Sequence, residues 1–224
     1  MTLADMRAAL RGHILDRGDG WSDAALNALL NTAARHTANI ADGADQALFV
    51  ASATATLATG GTDFSAVPLY TAGPGGFALP EYARLRRLLS VWRTGGDRPI
   101  GLQLVAMEDR ESYIAAASDT PACYLAGQSL VLITPGSNIP LRIDYVLALP
   151  DMAADSDTPG QRNGAGTANL LPEEYHAMIP AYAAVLALQG DNLDASAWKE
   201  TFAELRDELL ATLQTRRGAR TGKP

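Results

Sequence analysis

Glu173 and His176 stand three positions apart, directly after Leu171-Pro172. On a helix this Glu-x-x-His spacing points a carboxylate and an imidazole the same way, as the carboxylate-bridged di-iron bundles require. Such a centre also needs a second pair and two further glutamates. His13 and His36, the other histidines, have no carboxylate at that spacing. The plainer reading is therefore preferred: Glu173 sits at the positive end of a helix dipole, and His176 packs or caps. Cys123 lies in the apolar run Ala122 to Ala126 and reads as a buried small hydrophobe rather than a nucleophile. Gly164-Ala165-Gly166 is a fragment of a dinucleotide-binding turn, but it lies in a polar stretch with no buried strand before it. A G-x-S-x-G elbow, a Walker loop and a complete G-x-G-x-x-G are absent. No catalytic, cofactor-binding or metal-ligating residue is expected, and no cofactor.

The chain that would have to position such groups has 224 residues, of which 47% are hydrophobic, enough for one real core or two small ones in a soluble globular protein. No stretch approaches the roughly 18 consecutive apolar residues of a membrane-spanning helix. The opening MTLADMRAALRGH lacks the apolar core of a signal peptide, so action in the compartment of synthesis is expected. A single cysteine excludes an intrachain disulfide and fits a reducing compartment. The net charge of −7 has the wrong sign for a protein whose main task is gripping phosphates.

Leu3, Met6, Leu10 and Ile14 recur at three- and four-residue steps and predict an amphipathic helix that ends in Asp16-Arg17-Gly18-Asp19-Gly20. Trp21-Ser22-Asp23 opens a second helix. Ser22 is placed to accept the first free amides, Trp21 to fold back near Leu26, and Leu26, Leu29, Leu30, Ala33 and Ile40 form the inner face. From Ala47 to Leu149 the pattern changes to short β-prone runs between Gly, Pro, Asn and Asp. The expected strands are 48–56, 76–79, 85–92, 100–105, 122–126, 129–134 and 139–147, with a brief helix over 107–117. Gly127-Gln128 and Pro135-Gly136-Ser137-Asn138 separate the last three strands and predict an antiparallel meander.

Residues 151–170 hold almost no large apolar side chain, so a long loop outside any core is expected, used for contact or left without fixed structure. Leu171-Pro172-Glu173-Glu174 opens a third helix whose apolar face is Tyr175, Met178, Ile179, Tyr182, Val185 and Leu186. Pro180 interrupts that pattern and predicts a kink, and Gly190-Asp191-Asn192 ends it. The fourth helix, from about Ala195 to Arg216, repeats Trp198, Phe202, Leu205, Leu209 and Leu213 at near-heptad spacing. That stripe packs either on the chain's own core or on a neighbouring copy. Its other face, Lys199, Glu200, Glu204, Arg206, Asp207 and Glu208, reads as solvated. Trp92 reads as core. The polar basic tail, Gly218 to Pro224, is expected to be disordered in isolation.

This order of elements resembles the tail adaptor, or head-to-tail connector, proteins of tailed phages. The resemblance covers most of residues 1–190. It is carried by Trp21-Ser22-Asp23-Ala24-Ala25-Leu26-Asn27, Leu79-Pro80-Glu81-Tyr82-Ala83-Arg84-Leu85, Leu141-Arg142-Ile143-Asp144-Tyr145 and Leu171-Pro172-Glu173-Glu174-Tyr175-His176. Each motif has a plain structural explanation; their order is the stronger signal. The loop 151–170 is longer than in the family's pattern, and the last helix matches only in character. The resemblance implies an α+β fold: a helical bundle from the N- and C-terminal helices with a central antiparallel β insertion. The corresponding divisions are 1–45, 46–150, 151–170, 171–216 and a flexible tail 217–224.

The resemblance also implies a non-enzymatic virion protein, a homo-oligomeric ring commonly of twelve copies with heterologous contacts between copies. Its implied partners are the portal protein and tail or nozzle proteins, with genomic DNA passing through without specific binding and no membrane. The implied location is the neck or tail of the virion, reached by assembly in the host cytoplasm. In relatives the C-terminal segment docks on the portal, and Arg216, Arg217, Arg220 and Lys223 would suit that by pairing with portal carboxylates; a solvated frayed tail is the alternative. Trp198, Phe202, Leu205 and Leu209 would serve packing within or between copies. The competing reading of the whole chain is an oligomeric α+β binding module with no virion role.

Overall fold

The computed structural model describes residues 1–14, 20–57, 66–68, 84–95, 98–115, 122–126, 129–133, 139–162, 165–166 and 171–221. In chain order the elements are α1 (Leu3–His13), α2 (Asp23–Ala44), β1 (Val50–Leu57), β2 (Ala66–Pro68), β3 (Arg84–Arg93), β4 (Ile100–Leu104), α3 (Arg110–Ala115), β5 (Ala122–Ala126), β6 (Ser129–Leu132) and β7 (Ile139–Ala148). A two-stranded ladder of β8 (Gln161–Arg162) and β9 (Ala165–Gly166) follows, then α4 (Met178–Gly190) and α5 (Ser196–Thr221). The fold is α+β and forms two compact units, one from Met1–Phe49 with Leu149–Pro224 and one from Val50–Ala148.

In the helical unit, α1 begins with a reciprocal cap. The Thr2 hydroxyl accepts from the Asp5 amide at 3.2 Å, and the Asp5 carboxylate accepts from the Thr2 amide at 2.9 Å. Leu3, Met6 and Leu10 are buried, as their spacing predicts. The Ser22 hydroxyl accepts from the Ala25 amide at 3.2 Å and starts α2. Leu26, Leu30, Ala33, Ala34, Ala38 and Ala41 form its buried stripe, flanked by half-buried Leu29 and Ile40.

The third expected helix takes a different form. Glu173–Tyr175 make a 3₁₀ turn, and α4 starts only at Met178. Pro180 is therefore the third residue of the helix. The first four amides of a helix have no acceptor within it, so the proline costs no hydrogen bond and forces no kink. The one-faced pattern also gives way: Ile179, Ala181, Ala183, Ala184, Val185 and Ala187 are all buried. A helix without charged residues and rich in alanine can be surrounded, and α1, α2 and α5 all pack on it.

Around the α5 start, the Asp194 carboxylate accepts from the Ser196 amide at 2.9 Å and its hydroxyl at 3.0 Å. The helix continues to Thr221 rather than stopping near Arg216. One interior glycine, Gly218, costs a helix only about 1 kcal/mol, and the arginines and alanine around it are good helix formers.

The expectation that 151–170 stays outside any core is corrected by Met152, which is 3% exposed. Asn31 holds this segment twice: its side-chain amide donates to the Met152 carbonyl at 3.0 Å, and its oxygen accepts from the Met152 amide at 2.8 Å. The fully buried Asp157 accepts from the Ala153 and Ala154 amides at 2.7 and 2.8 Å. The carbonyls of Asp157 and Asp155 in turn accept from the Leu3 and Ala4 amides at 2.7 and 3.1 Å, two of the free donors at the start of α1. Arg7 pairs with Asp155 at 2.8 Å, and Arg35 with Asp151. Polar residues make this strap through carboxylates and carbonyls rather than through apolar area.

In the β unit the seven strands of the described residues run in the order β1-β7-β3-β4-β5-β6-β2. β1 pairs with β7 over its whole length, Val50 opposite Val146 and Leu57 opposite Ile139. The β3/β7 ladder shifts register between Leu85 and Arg87 and again between Leu88 and Ser90. The sheet is mixed, which corrects the expectation of an antiparallel insertion: β4 and β5 are parallel, Leu104 opposite Cys123. The crossover through α3 returns the chain in the same direction. β2 was not foreseen by periodicity; its three residues pair with Ser129 to Val131. The expected strand 76–79, the motif residues 79–83, and the turns 127–128 and 135–138 lie outside the described residues. One sheet face buries Ala53, Val91, Cys123, Leu130, Leu132, Leu141, Ile143 and Tyr145. On β5 and β6 the other face buries Ala122, Tyr124, Val131 and Ile133 with Val105 and Tyr113.

Candidate functional site

The residues that could have done chemistry are dispersed into packing roles. His176 is fully buried, with Nε2 2.8 Å from the Leu171 carbonyl and Nδ1 3.0 Å from the Met1 amino nitrogen. Burial holds its pKa below the usual imidazole value, against the opposing pull of the Leu171 hydrogen bond. Glu173 is exposed, its Oε1 3.4 Å from the same amino nitrogen. Among the described residues no group of three or more His, Cys, Asp or Glu is arranged to hold a metal ion. Cys123 is buried among apolar side chains, and desolvation pushes its thiol up to about 12, far from a thiolate at neutral pH. Gly166 lies in β9, and Gly164 lies outside the described residues.

α5 carries most of the residues singled out by sequence. Phe202 and Leu209 are buried within the chain, 8% and 0% exposed, while Trp198 and Leu205 are half-buried. Trp198 packs against His13 with the rings tilted and their centroids 3.8 Å apart, and its indole N–H donates to the His13 carbonyl at 3.2 Å. Phe202 joins Tyr182 at 4.8 Å and His36 at 5.9 Å, and His36 stacks on Tyr182 at 4.3 Å. Two histidines from α1 and α2 thus meet the aromatic side chains of α4 and α5. Partial burial lowers the pKa of both imidazoles.

Beyond Leu213, buried at 0%, the helix has no further large apolar side chain. Arg216, Arg217 and Arg220 belong to the last turns of α5. Lys223 lies outside the described residues.

In the β unit, periodicity did not reveal a polar cluster centred on Asp144. Its carboxylate accepts from the Ser52 hydroxyl at 2.6 Å, the Ser90 hydroxyl at 2.7 Å and the Trp92 indole N–H at 2.9 Å. Arg142 completes the shell, Nε 3.3 Å from Oδ1, with its guanidinium 5.6 Å from the centre of the Trp92 ring. Desolvation raises the pKa of Asp144, but the hydrogen bonds from Ser52, Ser90 and Trp92 and the charge of Arg142 outweigh it, so the net shift is downward. A carboxylate with its lone pairs engaged is a tie between strands β1, β7 and β3, and a poor general base. Gly101 lies under this cluster: a Cβ there would stand 3.4 Å from the Trp92 ring. Ser52, Ser90 and Trp92 lie 92, 54 and 52 positions from Asp144, so only strand register could have paired them with it.

Among the described residues, then, the groups singled out by sequence serve as packing and as ties between elements. No helix among the described residues is long and apolar enough to cross a membrane. A family model described as SU10 adaptor protein matches residues 1–223, a span that takes in both units. No curated protein matches the chain.

Proposed function

The chain belongs to the SU10 adaptor protein family, a structural family of bacteriophages, and from that membership we propose that it forms the adaptor ring joining the portal to the tail. The observation that carries this reading is the family match over residues 1–223. In the proposed ring one patch of each copy meets a different patch of the next, closing a cycle of twelve. The ring borders the DNA conduit, and a net charge of −7 is consistent with a passage that does not retain phosphates. The helices of the first unit act as its bundle, and the β unit presents a surface to tail or nozzle proteins.

Two features support a docking role for the end of α5. Leu213 is the last residue described as buried on that helix, and the sequence that follows carries Arg216, Arg217 and Arg220, with Lys223 beyond. A basic helical end without an apolar face suits carboxylates on the portal. Assembly takes place in the host cytoplasm and the product resides at the neck of the particle.

Negative-stain imaging of the purified chain with and without its cognate portal tests the reading. A ring stacked on the narrow end of the portal is expected. A chain that stays dispersed and never associates with the portal would overturn it in favour of an oligomeric binding module.

A further inference from the structure

The apolar face of the β sheet is not covered evenly. Val91, Cys123, Leu130 and Ile143 are buried on it. On the same face, by strand register, Ile100 and Leu104 of β4 and Leu125 of β5 are 48%, 49% and 36% exposed. Met107, 49% exposed, extends the strip just past the end of β4. Ile100 and Leu104 lie about 13 Å apart along the strand, with Leu102 between them half-buried against the core, so the strip is long enough to receive another protein surface.

The charges at its two ends differ in sign. Next to Ile100 stand Arg93, its cross-strand partner, and Arg98, two residues upstream. Next to Met107 stand Glu108 and Asp109. All four are exposed, and none has an ion-pair partner among the described residues. Arg7, Arg11 and Arg35 of the helical unit are by contrast paired with Asp155, Asp23 and Asp151. A strip that is positive at one end, apolar in the middle and negative at the other is complementary to itself after a two-fold rotation about its centre.

We propose that this strip is a two-fold contact between two copies of the chain, with Ile100, Leu104, Met107 and Leu125 meeting across the axis and Arg93 and Arg98 of each copy facing Glu108 and Asp109 of the other. The patch is small, so the contact is weak and concentration-dependent, a reversible pair formed by the free protein. It differs in symmetry from the heterologous contacts of the proposed ring. It does not depend on that reading, because it requires no portal.

Sedimentation velocity of the full chain alone tests it. A monomer–dimer equilibrium that shifts toward monomer as salt is raised is expected. Leu104→Arg weakens association by about tenfold or more by placing a charge in the apolar centre. Arg98→Glu weakens it less, and Arg98→Glu combined with Glu108→Arg restores it, because the swap re-creates the same pairing across the axis. An unchanged thermal midpoint identifies the variants that fold. A wild-type chain that remains monomeric at every concentration overturns the proposal. So does a dimer indifferent to Leu104→Arg, or a charge swap that fails to restore association.

Discussion

Asp144 is where single side chains matter most in the β unit, because one carboxylate holds hydroxyls from two different strands and an indole. Removing it leaves the Ser52 and Ser90 hydroxyls without their acceptor and the Trp92 N–H with the Ser90 hydroxyl alone, at 2.8 Å, and Asp144→Ala is expected to cost about 1–3 kcal/mol in urea unfolding. The histidines act in the other unit and at another pH. Burial lowers the pKa of His13, His36 and His176 below the ordinary 6.5. The unfolded chain therefore takes up protons at a higher pH than the folded one. Above 6.5 both states are neutral and the histidines leave stability unchanged. As pH falls through 6.5 the unfolded state is favoured, and the loss levels off below the folded-state pKa values. Thermal melts across that range should show a falling midpoint, and His36→Phe, which keeps an aromatic ring against Tyr182 and Phe202, should flatten the dependence.

Elements follow from spacing where one face is buried, and depart from it where the surroundings decide. α1 and α2 were legible from their apolar spacing, and α2 also from its Ser22 cap: Leu3, Met6, Leu10, Leu26 and Leu30 lie inward as read, whereas the Thr2–Asp5 cap of α1 was not read from the sequence. α4 was not, because burial on all sides removes the polar face that gives a helix its period. Its alanines point to the same cause. Ala183→Leu, at 0% exposure between close-packed helices, is expected to cost about 1–3 kcal/mol through overpacking, whereas Leu209→Ala should cost about 2–5 kcal/mol through the cavity it leaves; chemical denaturation of each reads both. The β8–β9 ladder carried a usable signal, Asn163-Gly164 between its strands, the pair favoured in two-residue hairpins. The strap had none, since Asn31, Arg7 and Arg35 are far from it in sequence and only the folded chain brings them together. On α5, Phe202 and Leu209 were legible as apolar, but heptad spacing alone leaves open whether the same chain or another covers them.

For the molecule as a whole, attachment and folding are expected to separate. A chain ending at Thr215 keeps every residue described as buried on α5, so its melting midpoint should match that of the full chain while co-sedimentation with portal is lost; retained binding would remove the docking role of Arg216, Arg217 and Arg220. The helical unit is built from both ends of the sequence, whereas the β unit is one uninterrupted stretch. During translation the chain emerges N-terminus first. Leu26, Leu30 and Ala33 leave the ribosome long before α4, the helix that α2 packs against, and Leu3 and Ala4 long before the carbonyls of Asp155 and Asp157 that receive their amides. The first two helices must therefore wait, partly uncovered, while the β unit is synthesised and can already close. A nascent chain stalled once Leu149 has cleared the exit tunnel should resist protease at strands β1, β3 and β7 and be cut within 1–49, and the early helices would become protected only once residue 190 has cleared it as well.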